Sequence, residues 1–211
     1  MEILITNNEE KWQEARKSRF TASEIYKLMG SPKNKSEYLS ETAKTFVFEK
    51  AAEILTGQKK QIYGDALQWG KDHEKTAFEQ FEKTIFCEFN YYGGESFVFI
   101  PYGEHSGYSP DALGENSIVE IKNPYNSAIH LKNRDIYNAD TLKQIHPEYY
   151  WQMQLGLLAT KNDLGYFVSH DIRMPSTHNL FIAEIELQDV KDQIDEKLYY
   201  ASQLLNNVIQ L

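Results

Sequence analysis

What most constrains this chain is a pair of short segments, Gly107-Tyr108-Ser109-Pro110-Asp111-Ala112-Leu113 and Ile118-Val119-Glu120-Ile121-Lys122-Asn123-Pro124, joined by Gly114-Glu115-Asn116-Ser117. The joining residues have the composition of a turn, and Ile118 to Lys122 alternates apolar and polar residues as a strand with one face on a core does. Side chains on a strand repeat with period two, so Glu120 and Lys122 project from one face while Val119 and Ile121 point to the other. With Asp111 on the paired strand of a hairpin, two carboxylates and an ammonium converge. Paired acidic oxygens suit a hard cation such as Mg²⁺, and a lysine beside them can orient, or help to deprotonate, a water attacking a phosphodiester.

The rest of the chain reads as alternating helices and strands. Glu9 to Lys17 suits a short helix carrying Trp12, Ala15 and Arg16, and Thr21-Ala22-Ser23-Glu24 has the form of a capping box opening a helix that ends near Gly30. That box puts Ser23 in a first turn, where free N–H groups favour an anion, with Arg16 near enough to add donors; the same residues also suit a plain cap beside a surface arginine. Gly30 to Ser36 is a polar, basic loop. Glu41 to Leu55 reads as a helix closed by Gly57, and Gln58 to Tyr63 as a polar linker. In the next helix, Asp65 to Lys83, Leu67, Phe78 and Phe81 share a face, and Glu74 falls on that same face. A lone carboxylate on a core-facing stripe needs a metal, a lysine or hydrogen bonds to compensate it.

Ser96 to Tyr102 reads as a strand which, with the hairpin, makes the antiparallel centre of a mixed sheet. Ser127 to His146 is polar, with His130, Lys132, Arg134, Lys143 and His146, and suits either a wall of a binding path or a solvated loop and helix. Pro147 to Thr160 is apolar nearly all round, a buried helix started by proline and interrupted by Gln152 and Gln154, whose amides need partners. Strands at Gly165 to His170 and Phe181 to Leu187 and a helix from Val190 to Val208 close the chain.

At 211 residues, 41% hydrophobic and 25% charged, the chain has room for one domain, residues 1–211, with a substantial core. No apolar run suits a bilayer, and the start, Met1 to Thr6, does not resemble a signal peptide, so no membrane association and a cytoplasmic location are expected. Cys87, the single cysteine, excludes an internal disulfide and a cysteine-based zinc cluster. A net charge of −9 opposes general nucleic-acid binding, yet its distribution is uneven. Lys11, Arg16, Lys17, Arg19, Lys27, Lys33 and Lys35 face only Glu14 and Glu24 in the same stretch, whereas Glu184 to Lys197 is strongly acidic. An acidic outside with a basic, enclosed path suits a protein that handles one DNA end at a time; simple solvation of those charges accounts for the pattern equally well.

Pro110-Asp111 followed by Glu120-Ile121-Lys122 resembles the PD-(D/E)xK nuclease motif. With Trp69-Gly70-Lys71-Asp72-His73-Glu74 upstream and Tyr149-Tyr150-Trp151-Gln152-Met153-Gln154 downstream, the chain resembles the phage lambda-type exonuclease family of viral recombinases, in order from about Trp12 to Met174. The resemblance implies a restriction-endonuclease-like α/β domain with a mixed central β-sheet flanked by helices. It implies a Mg²⁺-dependent 5′ to 3′ exonuclease that degrades one strand of linear duplex DNA in phage-type homologous recombination. By the same resemblance the catalytic residues are Asp111, Glu120, Lys122, Glu74 and Gln152. The metal ligands are Asp111, Glu120, the backbone carbonyl of Ile121 and Glu74, for two Mg²⁺ ions with Mn²⁺ as a substitute. A pocket for the DNA 5′-phosphate falls to Arg16, Ser23 and Ser109, with Arg19 as a second phosphate contact. Double-stranded DNA ends, a homotrimeric ring and a single-strand annealing protein are the implied partners, in a bacterial cytoplasm with the chain phage- or prophage-encoded. His73 is either a neighbouring site residue, since related nucleases use a histidine in this region, or an exposed helix residue, and no role follows for Arg173. An end-independent endonuclease or repair nuclease of the same fold is the alternative, and the Arg16, Ser23 and Ser109 set speaks against it.

Overall fold

A computed structural model describes residues 3–58 and 64–210; the linker expected at 58–63 lies, apart from Gln58, outside them. In chain order the elements are β1 (Leu4–Thr6), α1 (Glu9–Arg16), β2 (Phe20–Thr21), a 3₁₀ helix (Ala22–Lys27), α2 (Glu41–Thr56), α3 (Asp65–Ile85), β3 (Asn90–Tyr91), β4 (Phe97–Tyr102), β5 (Ser106–Tyr108) and β6 (Ala112–Leu113). They continue with β7 (Ser117–Lys122), α4 (Ser127–Asn133), α5 (Ala139–Ile145), α6 (Pro147–Thr160), β8 (Leu164–His170), β9 (Leu180–Glu186) and α7 (Lys191–Ile209).

The strands form two mixed sheets rather than one. A four-stranded sheet runs β1-β4-β5-β2 and a five-stranded sheet runs β3-β6-β7-β8-β9. The expected strand near 97–102 therefore does not flank the hairpin; it pairs with β5, Ile100 opposite Tyr108. The change of sheet falls at Ser109-Pro110, where proline lacks the N–H that would carry the ladder onward. Beyond it, β6 pairs with β7, Ala112 opposite Val119. In the five-stranded sheet β7 runs parallel to β8, with the α4, α5 and α6 segment as the crossover, and the other pairings are antiparallel.

β7 is covered on both faces, and this is what positions the site. Val119 and Ile121 lie in a cluster with Ala77, Phe78 and Phe81 of α3, while Ile118 joins the larger core with Met153, Leu155 and Leu157 of α6 and Phe167 of β8. Each large apolar side chain buried this way stabilises by about 1.5–3 kcal/mol. α6 comes close because residue 156 is glycine: a Cβ there would stand 2.8 Å from the Tyr108 ring.

Two expectations need correction. The box at Thr21–Glu24 opens a short 3₁₀ helix, not an α-helix to Gly30, and Thr21 makes no side-chain cap. Glu24 pairs with Lys27 and Lys50, each at 3.0 Å, and accepts from the Thr21 hydroxyl at 3.3 Å, but the Thr21 N–H of β2 donates to the Arg19 carbonyl instead of to Glu24. Leu67 is 49% exposed rather than part of the core stripe. It lines the cleft with Ala66 and Gly70, because the first turns of α3 overhang that cleft instead of lying on the sheet.

Candidate active site

A cleft of about 710 Å³ opens between the two sheets, and its lining includes the residues expected at the site, Arg16, Ser23, Glu74, Ser109, Asp111, Glu120, Ile121, Lys122 and Gln152, but not Arg19. Its acidic end is built on the β6–β7 hairpin. The Asp111 N–H donates to the Val119 carbonyl at 3.2 Å, and one Asp111 oxygen accepts from the Ile121 N–H at 2.6 Å. Glu120, on the opposite face of β7 from Val119 and Ile121, is 2% exposed. Its Oε1 accepts from Lys122 Nζ at 2.6 Å and from Gln152 Nε2, and its Oε2 from the Tyr108 hydroxyl at 3.2 Å. Gln152 also accepts from Lys122 at 3.4 Å, so one amide holds both charged groups, and the Tyr149 ring lies 4.8 Å from the ammonium. Glu74 reaches in from α3, accepting from the Tyr91 hydroxyl at 3.0 Å.

Burial, and then repulsion from Glu120 and Glu74, push the Asp111 carboxyl well above the usual carboxylate range, against the pull of Lys122 and the Ile121 N–H. Burial likewise raises Glu74; the Tyr91 hydrogen bond opposes it and Glu120 adds to it. For Lys122, burial favours the neutral amine, but Glu120 and Asp111 outweigh it and hold the ammonium above its ordinary pKa. The acids around Lys122 thus favour its positively charged form.

The other end is cationic. Arg16 ends α1, its guanidinium 4.3 Å from the centre of the Trp12 ring, and its buried Nε has no hydrogen-bond partner among the described residues. Burial lowers the Arg16 pKa, with Glu24, Glu120 and Asp111 opposing that shift; an arginine stays charged nonetheless. Trp12 Nε1 donates at 3.0 Å to both Ser109 Oγ and the Val98 carbonyl. Ser109 is therefore an acceptor toward Trp12, and its own hydroxyl hydrogen is available to a ligand. Ser23 lies exposed in the first turn of the 3₁₀ helix.

Other candidates have structural places. Arg19 donates to the Glu104 carbonyl at 2.7 Å and does not line the cleft. His73 packs edgewise on Trp69, ring centres 4.0 Å apart. Arg173 pairs with Asp171, donates to the carbonyls of Pro124 and Tyr125 and covers the Trp69 ring, clamping the loop after β7. No residue of Ser127–His146 lines the cleft: His130 is buried between Ser169 and the His178 carbonyl, and His146 bonds Asn133 and Glu148. Gln154 spans the Glu186 carbonyl and the Gln188 N–H, the partners its amide needs. Tyr91, Tyr108, Tyr149 and Trp12 are the site neighbours that the sequence reading left unassigned. For Tyr108 a signal existed in its place just before Ser-Pro-Asp; for Tyr91 none did.

Among the described residues no three His, Cys, Asp or Glu side chains are grouped as a complete metal cage. The site still fits a hard divalent cation on its donor chemistry. Asp111 and Glu120 with the Ile121 carbonyl make an all-oxygen set that backbone and water would complete. The repulsion among Asp111, Glu120 and Glu74 is what such a cation would relieve.

Among the described residues no helix is long and apolar enough to cross a membrane. No curated protein matches the chain. Solved structures do. An alkaline exonuclease (LHK-Exo) from Laribacter hongkongensis superposes with a TM-score of 0.76 at 25% identity, over 95% of this chain and 94% of that one. The same exonuclease in complex with dAMP gives 0.77 at 26% identity, over 95% and 94%. A phage-related exonuclease from Haemophilus somnus 129PT shares the fold, with a TM-score of 0.76 at 17% identity over 90% and 94%. The sequence pattern of the YqaJ-like viral recombinase domain matches residues 11–163, and the chain belongs to that family.

Proposed function

We propose that this protein is a Mg²⁺-dependent 5′ to 3′ exonuclease that removes one strand from the ends of linear double-stranded DNA in phage-type recombination, the whole chain working as one nuclease domain. The solved structures that match it at 25–26% identity are of an alkaline exonuclease, and the chain is a nuclease. The observation that carries the finer reading is a single cleft with carboxylates and a lysine at one end and the buried, unpartnered Arg16 Nε at the other.

In this reading Asp111, Glu120 and the Ile121 carbonyl hold one Mg²⁺, Glu74 helps to place a second ion or its waters, and Mn²⁺ substitutes. Bound there, the ions supply an activated water and stabilise charge on the attacking and leaving oxygens. The chain's own groups do the rest. Lys122, held charged, orients the nucleophilic water and lowers its pKa through its charge. Gln152 fixes Glu120 and Lys122 in register, since its amide donates to one and accepts from the other. Arg16, Ser109 and Ser23 take the terminal 5′-phosphate, so a strand end, not a chain interior, sets the reacting bond over the carboxylates. A homotrimeric ring around the DNA, a single-strand annealing partner and action in the bacterial cytoplasm complete the proposal; they rest on family membership.

The test is incubation with Mg²⁺ and three duplexes of one sequence: linear with 5′-phosphate, linear with 5′-hydroxyl, and covalently closed circular. Progressive loss of one strand from the phosphorylated linear DNA, with the circle intact, is expected. Cutting of the circle would move the assignment to an endonuclease, and absence of cleavage with any divalent metal would leave only DNA-end binding.

A further inference from the structure

Glu74 is the one expected metal-site carboxylate that does not belong to the hairpin. It comes from α3, and something must set its distance from Asp111. The two-residue strand β3 lies between them. Tyr91 pairs with Ala112, the residue after Asp111, and the Tyr92 N–H donates to the Asp111 carbonyl at 2.8 Å. From this strand the Tyr91 side chain turns to α3. Its ring stacks on Phe78, centres 4.9 Å apart at 27°, and its hydroxyl donates to Glu74 Oε1 at 3.0 Å. Phe78 is one helical turn beyond Glu74, so the ring and the hydroxyl grip the same face of α3.

We infer that Tyr91 is a positioning residue for Glu74: it ties that carboxylate to the backbone of Asp111 and leaves the second Glu74 oxygen to a cation or its water. The inference rests on the reading of Glu74 as part of the metal site. The chemistry of the donor supports it. A lysine on Glu74 would both orient and neutralise it, as Lys122 does beside Glu120, and would compete with a cation. A phenol donates one hydrogen bond without supplying charge, so the carboxylate is fixed and remains available. The surrounding chain is shaped to this contact. A Cβ on Gly93 would overlap the Tyr91 hydroxyl and stand 2.5 Å from Glu74 Oε1. Gly93 does not adopt the left-handed backbone conformation, so the need for glycine there is one of space.

The test compares the wild type with Tyr91→Phe, Gly93→Ala, Glu74→Gln and Asp111→Ala. Tyr91→Phe keeps the stack on Phe78 and removes only the hydroxyl, so it folds, with a thermal midpoint within about 4 °C of wild type. Mn²⁺ is titrated calorimetrically into each protein without DNA, and cleavage of the 5′-phosphorylated duplex is followed across Mg²⁺ concentrations. The expected result for Tyr91→Phe is a Mn²⁺ affinity lower by about tenfold. The Mg²⁺ needed for half-maximal cleavage rises by a similar factor, and the rate at saturating Mg²⁺ is nearly restored. Gly93→Ala shifts both in the same direction. Wild-type metal affinity and Mg²⁺ dependence in Tyr91→Phe, with both weakened in Glu74→Gln, overturns the inference. So does a loss of rate in Tyr91→Phe that is equal at all Mg²⁺ concentrations. If Glu74→Gln itself leaves metal binding and Mg²⁺ dependence unchanged while Asp111→Ala is inactive, the assignment of Glu74 to the metal site fails instead.

Discussion

At the acidic end of the cleft, Glu120 is gripped by Lys122, Gln152 and Tyr108, Asp111 by the Ile121 N–H, and Glu74 by Tyr91; at the other end, the buried Nε of Arg16 meets no acceptor among the described residues. The first end is preset by its own neighbours and gathers three carboxyl groups beside one lysine. The second is held by stacking on Trp12 and has hydrogen-bonding capacity to spare. A charge left unpaired away from water is expensive, so on the proposed function the first end suits a cation and the second an anion. On the proposed function, the difference between them separates two jobs: geometry for the reacting bond at one end, choice of DNA end at the other.

Changes at the two ends should therefore fail differently. Asp111→Ala removes a member of a cooperating set, and cleavage of every duplex, phosphorylated or not, is expected to fall on the order of 10⁴-fold in a single-turnover assay. Lys122→Ala is expected to lose roughly 10²- to 10³-fold at saturating Mg²⁺, again for both kinds of end, as for removal of one preset charge-stabilising donor. Full Mg²⁺-dependent cleavage by Lys122→Ala would sink the role given to this lysine. Arg16→Ala should instead act on selection. It lowers kcat/KM for the 5′-phosphorylated duplex by roughly 10- to 100-fold, the scale of a hydrogen bond to a charged group, and leaves the 5′-hydroxyl duplex nearly unchanged. Equal losses on both substrates would erase the distinction between the ends.

The smallest effect concerns the scaffold under the acidic end. His170 donates through Nδ1 to Asn123 Oδ1, at 3.0 Å, because the Asn123 amide itself donates to the Gly70 carbonyl. Burial, helped by His130, lowers the His170 pKa from 6.5 to about 4. The folded protein resists the proton that the unfolded chain accepts. The stability this gives is fully present above pH 6.5 and is lost as pH falls toward about 4. The melting temperature of wild type should drop through that window more steeply than that of His170→Gln; parallel curves would remove His170 from the account.

Legibility followed distance along the chain. The placement of Glu120 and Lys122 on one face of a strand could be read because it depends only on the period of two, and the α6 span from Pro147 was read to the residue because its apolar run is continuous. Glu74 could be seen on the right face of its helix, yet Leu67 on that same face proved exposed: periodicity gives a face, not where the helix leaves the sheet. The Thr21–Glu24 box failed because the Thr21 N–H goes to the Arg19 carbonyl and Glu24 also serves Lys50, far along the chain. Strand β4 was found, but its sheet was not, since pairing partners are set by the break at Pro110 and by the packing beyond it.

By itself, then, the sequence determined the local frame: a hairpin with Asp111 and Glu120 about its turn, Lys122 beside Glu120, and family membership through its ordered motifs. Those follow from covalent geometry and short-range pattern. The tertiary structure alone decided that Glu74 from α3, Gln152 from α6, Tyr91 from β3 and Arg16 from α1 meet around one cleft. The physical reason is that α3 and α6 bury their apolar faces on opposite sides of β7, and the approach of polar groups between distant segments is fixed by that packing, which no local pattern encodes.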